Sequence, residues 1–164
     1  MRYEGFGPNG TSIIVEALTD NRNRTASNVR SAFQKFGGSM GETGSVSHAF
    51  NHYGFVRYNK DVTSEEDFFN FSIEGGAEDC FIEEDTYEAV STPETLSNLY
   101  NYLDKKFGEP VSSGFQWKPV THVAIEGDKL KSLINLLNEL DNDEDVQQVF
   151  SNFEASDEEL AKFA

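Results

Sequence analysis

The chain has 164 residues, room for one domain or two small ones with a real core. Its 37% hydrophobic content, with 14 Phe, excludes an acidic disordered tail, and no apolar run approaches the ~18–20 residues of a membrane span. A formal charge of −16 implies poor, steeply salt-dependent non-specific affinity for DNA, and the single cysteine, Cys80, excludes an internal disulfide or a cysteine-based zinc cluster and fits a reducing compartment.

The first residues, MRYEGFGPNG, lack the basic stretch and apolar run of a secretory signal. TSIIVEALT (Thr11–Thr19) is β-branched and apolar and predicts a buried strand. Thr25 is a candidate N-cap, after which Ala26, Val29, Phe33 and Phe36 recur at helical spacing until Gly37 and Gly38 stop the helix. SVSHAF (Ser45–Phe50) and GFVRY (Gly54–Tyr58) predict strands around a turn at Asn51–Gly54. SEEDFFNFSIEGG opens with a capping signature at Ser64–Asp67 and predicts a helix ending at Gly75–Gly76.

DCFIEE and TYEAV predict a hairpin turning near Asp85. TPETLSNLYNYLDKKFG predicts a helix with Pro93 in its first turn, a stripe of Leu96, Leu99, Tyr100 and Leu103, and a stop at Gly108. SGFQWKP and THVAIEG predict strands. Asp128 then caps a helix with Leu130, Leu133, Ile134, Leu137 and Leu140 inward, DVQQVFSNF (Asp145–Phe153) returns as a strand, and EASDEELAKFA is a loose polar end.

This order implies an α+β fold: two ferredoxin-like α/β sandwich domains, one inserted in the other. The outer domain is expected at residues 1–54 with 119–164, and the acidic inserted domain at 55–118. Charge divides similarly. Residues 1–60 hold seven Lys/Arg against four acids, a net +3, whereas residues 61–164 hold six Lys against 25 acids, a net −19.

No nucleophile elbow, phosphate loop or zinc-protease helix occurs, so neither an enzyme nor a cofactor is expected. His48 and His52 are read as surface residues rather than metal ligands, and Cys80 as a core residue. The informative stretch is Leu18–Ser45. Arg22 and Arg24, placed just before a helix start, oppose the helix dipole unless an anion arrives. Arg22, Arg24, Thr25, Arg30 and Lys35, with Gly41 and Thr43 of the loop GGSMGETG, are therefore the candidate nucleic-acid or anion site. Salt bridges to Asp20 and Glu42 are the alternative use of these arginines.

RYEGFGPNG, EALTDNRNRTASNVRSAFQKFGG, GETGSVS and, more weakly, GAEDC resemble the YebC/PmpR family over residues 2–153. The resemblance implies the same α+β pair and a probable transcriptional regulator. It equally implies a ribosome-associated translation factor like the mitochondrial translational activator of a cytochrome oxidase subunit. The expected partners are DNA or ribosomal RNA, in the cytoplasm or the mitochondrial matrix, with no membrane. Family members usually begin with a helical, lysine-rich domain, which this chain is expected to lack. The alternative function is an acidic module docking on a basic protein.

Overall fold

The computed structural model describes residues 1–163. In chain order its elements are β1 (Arg2–Phe6), β2 (Ser12–Ala17), α1 (Arg22–Lys35), β3 (Ser39–Met40), β4 (Phe50–Asn59), α2 (Glu65–Glu74), β5 (Asp79–Ile82), β6 (Thr86–Ser91), α3 (Leu96–Phe107), β7 (Ser112–Pro119), β8 (Val123–Ala124), α4 (Gly127–Asp141), β9 (Val146–Ser151), β10 (Phe153–Glu154) and α5 (Asp157–Ala161). Among the described residues no helix is long and apolar enough to cross a membrane. The chain divides into two compact units, residues 1–51 with 118–164 and residues 52–117.

In the second unit the four-stranded sheet runs β5-β6-β4-β7. Its chain order is strand, helix, strand, strand, helix, strand, the route of a ferredoxin-like sandwich. One face carries Val56, Tyr58, Tyr87 and Ala89, which bury against Phe68 of α2 and Leu99 and Leu103 of α3. The helices start as the local sequence dictates. Ser64 accepts a hydrogen bond from the Asp67 N–H at 3.2 Å, and three acids in the first turn of α2 suit the positive end of its dipole. Pro93–Thr95 forms a 3-10 turn leading into α3, and Gly108 ends α3 at φ 83°, which favours glycine.

In the first unit the sheet runs β3-β1-β2-β9, again with neighbours antiparallel. The order matches the other sheet position for position, taking β2 as first strand, β3 as second and β9 as fourth. The third place, however, is filled by β1, which precedes the rest in sequence. The first unit is thus a rearranged version of the same sandwich, with residues 52–117 placed between its second strand and its second helix. Ile13 and Val15 of β2 join Val29 and Phe33 of α1 and Leu130, Leu133, Leu136 and Leu140 of α4 in one core. Burial of this apolar set is the main stabilising contribution to the unit.

Several sequence expectations change. RYEGF, predicted as no element, is β1. SVSHAF is not a strand: its backbone is drawn onto a carboxylate described below, and Ser47–Ala49 is a 3-10 turn. Asn51–Gly54 does not turn, because β4 runs through it from Phe50 to Asn59. In α4 it is Leu136, not Leu137, that is fully buried, and Glu126 rather than Asp128 holds the N-cap position. The C-terminal stretch is ordered. β10 pairs with β8, Ser156 caps α5 through the Glu159 N–H, and Leu160 and Phe163 pack on the core.

Candidate nucleic-acid interface

The basic stretch begins one turn earlier than the sequence suggests. Asn21, not Thr25, caps α1: its side-chain oxygen accepts from the Arg24 N–H at 3.0 Å. Arg22 and Arg24 therefore sit in the first turn of α1, which contains no acid. Thr25 is buried inside the helix.

The anion that this helix start calls for comes from the chain itself. Asp145, just before β9, accepts from the Thr25 hydroxyl at 2.8 Å and from Arg24 Nε and Nη2 at 3.2 and 3.0 Å. Asp20 adds a second acceptor for Arg24 at 3.1 Å. The Thr25 hydroxyl first, and then the Arg24 guanidinium, hold the Asp145 carboxyl below the usual aspartate range. The same carboxylates push Arg24 up. Of the alternative partners Asp20 and Glu42, Asp20 bonds Arg24, and among the described residues Glu42 is in no ion pair with it. The decisive partner, Asp145, is neither of them and lies more than a hundred residues away. Lys35 is likewise spoken for, bonded to Glu139 of α4 at 2.9 Å.

Arg22 and Arg30 remain. Both are exposed, and among the described residues neither makes an ion pair. They lie about 12 Å apart along α1 at ~1.5 Å per residue. No Asp or Glu occurs from Asn21 to Gly41, so the solvent face of α1 is cationic in a strongly acidic chain.

The loop with Gly41 and Thr43 is built around Glu4. This carboxylate is fully buried. It accepts from the N–H groups of Gly44 at 2.7 Å, Val46 at 3.0 Å and Ser47 at 2.7 Å, and from Arg2 Nε at 3.1 Å. Burial alone would raise its pKa; the three backbone donors and Arg2 outweigh that and hold it below the ordinary 4.5. Gly41 donates to the Glu4 carbonyl at 2.8 Å, and a side chain at Gly41 would meet the Ser45 hydroxyl at 2.6 Å. The loop is thus held on both its backbone and its sterics, with Thr43 exposed.

Glu4 pairs with Ile14, so it lies on the sheet face opposite Ile13, Val15 and the helices. The register of β1 with β3 and β2 brings this loop to the same end of the sheet as the start of α1, but on the other face. Gly41 and Thr43 therefore do not join the arginines in one pocket. The role of Glu4 was not apparent in the sequence; the only signal was an acid alternating with apolar residues in a strand-like stretch.

His48 and His52 are exposed, and among the described residues no group of three or more His, Cys, Asp or Glu could hold a metal ion. Cys80 packs against the core of residues 52–117, and burial pushes its thiol up, away from the reactive thiolate.

Residues 1–153 match the family model described as TACO1/YebC second and third domain. The fold is similar to the crystal structure of a conserved hypothetical protein from Aquifex aeolicus, at 38% sequence identity and a TM-score of 0.84 over 96% of this chain. The chain spans 65% of the length of that protein. With the two-sandwich architecture and the family model agreeing over nearly the whole length, this chain belongs to the TACO1/YebC family and carries the family's second and third domains.

Proposed function

We propose that this protein regulates gene expression by binding nucleic acid through the solvent face of α1, as a transcriptional regulator or a ribosome-associated translation factor, without catalysing a reaction. The observation that carries the proposal is the acid-free, exposed face with Arg22 and Arg30 in a chain of charge −16. Guanidiniums not engaged internally are the groups suited to phosphate. Family membership supports the same reading. The sequence shows neither a helix-turn-helix nor a zinc finger, and an arginine- and glycine-rich stretch that contacts a backbone suits structured RNA at least as well as duplex DNA.

The test is crosslinking of the protein in cells with sequencing of both RNA and DNA, run for the parent and for Arg22→Glu with Arg30→Glu. We expect the double variant to melt like the parent, lose crosslinks at least tenfold, and reduce the salt slope of binding by about two contacts. Parental crosslinking by the double variant removes α1 as the interface.

A second reading has its own observation. Residues 61–104 contain thirteen acids and no Lys or Arg, with Glu65, Glu66 and Asp67 exposed at the start of α2. Such a surface suits a basic protein. Charge reversal of those three acids, with α1 intact, separates the two readings.

A further inference from the structure

The acids are absent from more than α1. Neither Thr43–Lys60 nor Pro110–Ile125 contains an Asp or Glu, although the chain has 29. These two stretches supply β4 and β7, which are hydrogen-bonded neighbours at one edge of the second sheet. The edge also carries a cluster of rings. His52 stacks on Trp117 with centroids 4.2 Å apart and planes 9° from parallel, and tilts against Phe115 at 5.9 Å. His52 is exposed and Phe115 is 49% exposed.

Alternation along the strands sets the side on which the rings stand. Gly54 lies under Leu96, the first residue of α3, and His52 is two residues earlier on the same side. The cluster thus stands where β4 begins and β7 ends, past the start of α3. The buried Glu88, bonded to Arg57 and Gln116, is on the opposite side and does not face the rings.

We infer that His52, Phe115 and Trp117 form a stacking surface for unpaired nucleobases of a single-stranded or looped nucleic acid. Every base has a π-face, so aromatic rings bind single strands with little sequence preference. The phosphates that accompany the bases are repelled by carboxylates, and these two strands supply none. A buried duplex base cannot reach such a surface, so the site selects unpaired strand. The inference rests on the nucleic-acid reading above but uses a different surface from α1.

Trp117 is the only tryptophan in the chain and reports directly on the site. The intact protein is titrated with a twelve-nucleotide unstructured RNA and with the same sequence as a duplex, reading Trp117 fluorescence and, separately, anisotropy of labelled RNA. We expect saturable quenching by the single strand and not by the duplex, and about a tenfold weaker single-strand affinity for His52→Ala with Phe115→Ala. Both substituted residues are exposed, and circular dichroism and melting of that variant show whether it stays folded. A milder pair, His52→Gln with Phe115→Leu, is expected to give the same loss while keeping side-chain volume. Parental affinity in either folded pair overturns the inference, as does equal quenching by duplex, or binding without quenching. If Arg22→Glu with Arg30→Glu abolishes anisotropy binding while the ring variants bind like the parent, the inference fails and the α1 reading stands. If the ring variants lose single-strand affinity while the arginine variant binds like the parent, the inference stands and the α1 reading fails.

Discussion

Two glutamates are withdrawn from water in this molecule, one in each unit, and they are satisfied differently. Glu4, fully buried, is met mostly by backbone: three N–H groups of one loop and a single guanidinium. Glu88, 3% exposed, is met by the side chains of Arg57 at 2.6 Å on the adjacent strand β4 and of Gln116 at 3.3 Å on β7 beyond it. A carboxylate bonded to backbone dictates a conformation, because its donors can be reached only if the loop bends around it. A carboxylate bonded to side chains dictates which residues stand beside it and leaves the backbone to the ladder. The first kind shapes a surface loop; the second fixes a sheet face.

The comparison breaks most sharply at Glu4. Glu4→Gln keeps the shape but removes the charge and turns an amide N–H toward backbone donors, which is expected to cost about 3 kcal/mol. Chemical denaturation measures that, and amide exchange shows protection lost at Gly44, Val46 and Ser47 before other sites. The acid response follows from the same group. Its folded pKa lies below 4.5, so its stabilisation is fully present above about that pH and is lost as pH falls through the lowered value. The Glu4→Gln variant is expected to show a shallower loss of stability in acid, and an unchanged acid limb would mean that Glu4 is not the group responsible.

Arg57→Met tests the other glutamate. It removes the 2.6 Å donor to Glu88, keeps Gln116 at 3.3 Å, and is expected to cost about 2 kcal/mol, less than a fully buried pair because Arg57 is one-third exposed. Adding Glu88→Leu is expected to recover most of that loss, whereas no apolar replacement at Glu4 recovers the loop, whose donors are backbone. Thermal melts of the single and double variants make the comparison quantitative.

The smallest expected effect is at Asp145. Asp145→Ala releases Thr25 and leaves Arg24 with the exposed Asp20 alone, so the internally neutralised helix start becomes more open. RNA affinity should rise a few-fold and the salt slope should steepen by about one contact. Unchanged binding would show that the start of α1 faces no ligand even when its charge is free.

What the sequence conveys here is what short-range chemistry decides. The cap of α2 and the stripe and glycine stop of α3 are read correctly because the Ser64 cap and the Gly108 stop lie within three or four residues of the groups they meet. The hairpin of β5 and β6 has the same local origin. What it conceals is set by distant partners. Asp145 reaches Arg24 from the far end of the chain, and no spacing rule near Leu18 predicts it. Ser45–Phe50 has a strand's apolar alternation, yet the N–H groups of Val46 and Ser47 belong to Glu4. β1 is hidden in the sequence because Gly5 weakens its pattern, although the strand needs it: a side chain at Gly5 would meet Phe33 at 2.7 Å. Thr25 carries the right chemistry for a cap but lies one turn beyond Asn21, and its hydroxyl is spent on Asp145 instead.

The split of the first sandwich in sequence, with β9 beyond residues 52–117, sets an order of assembly. Residues 50–119 contain every strand and both helices of their own sheet, so they can close as soon as they leave the ribosome. The other sandwich must wait, because Ile13 has its ladder partner at Ser151. Until β9 is synthesised, the Ile13–Val15 edge and the apolar stripe of α1 stay uncovered. That interval is when the chain exposes the most apolar surface, and a nascent chain with residues up to Pro119 outside the ribosome would carry one finished domain and one open one.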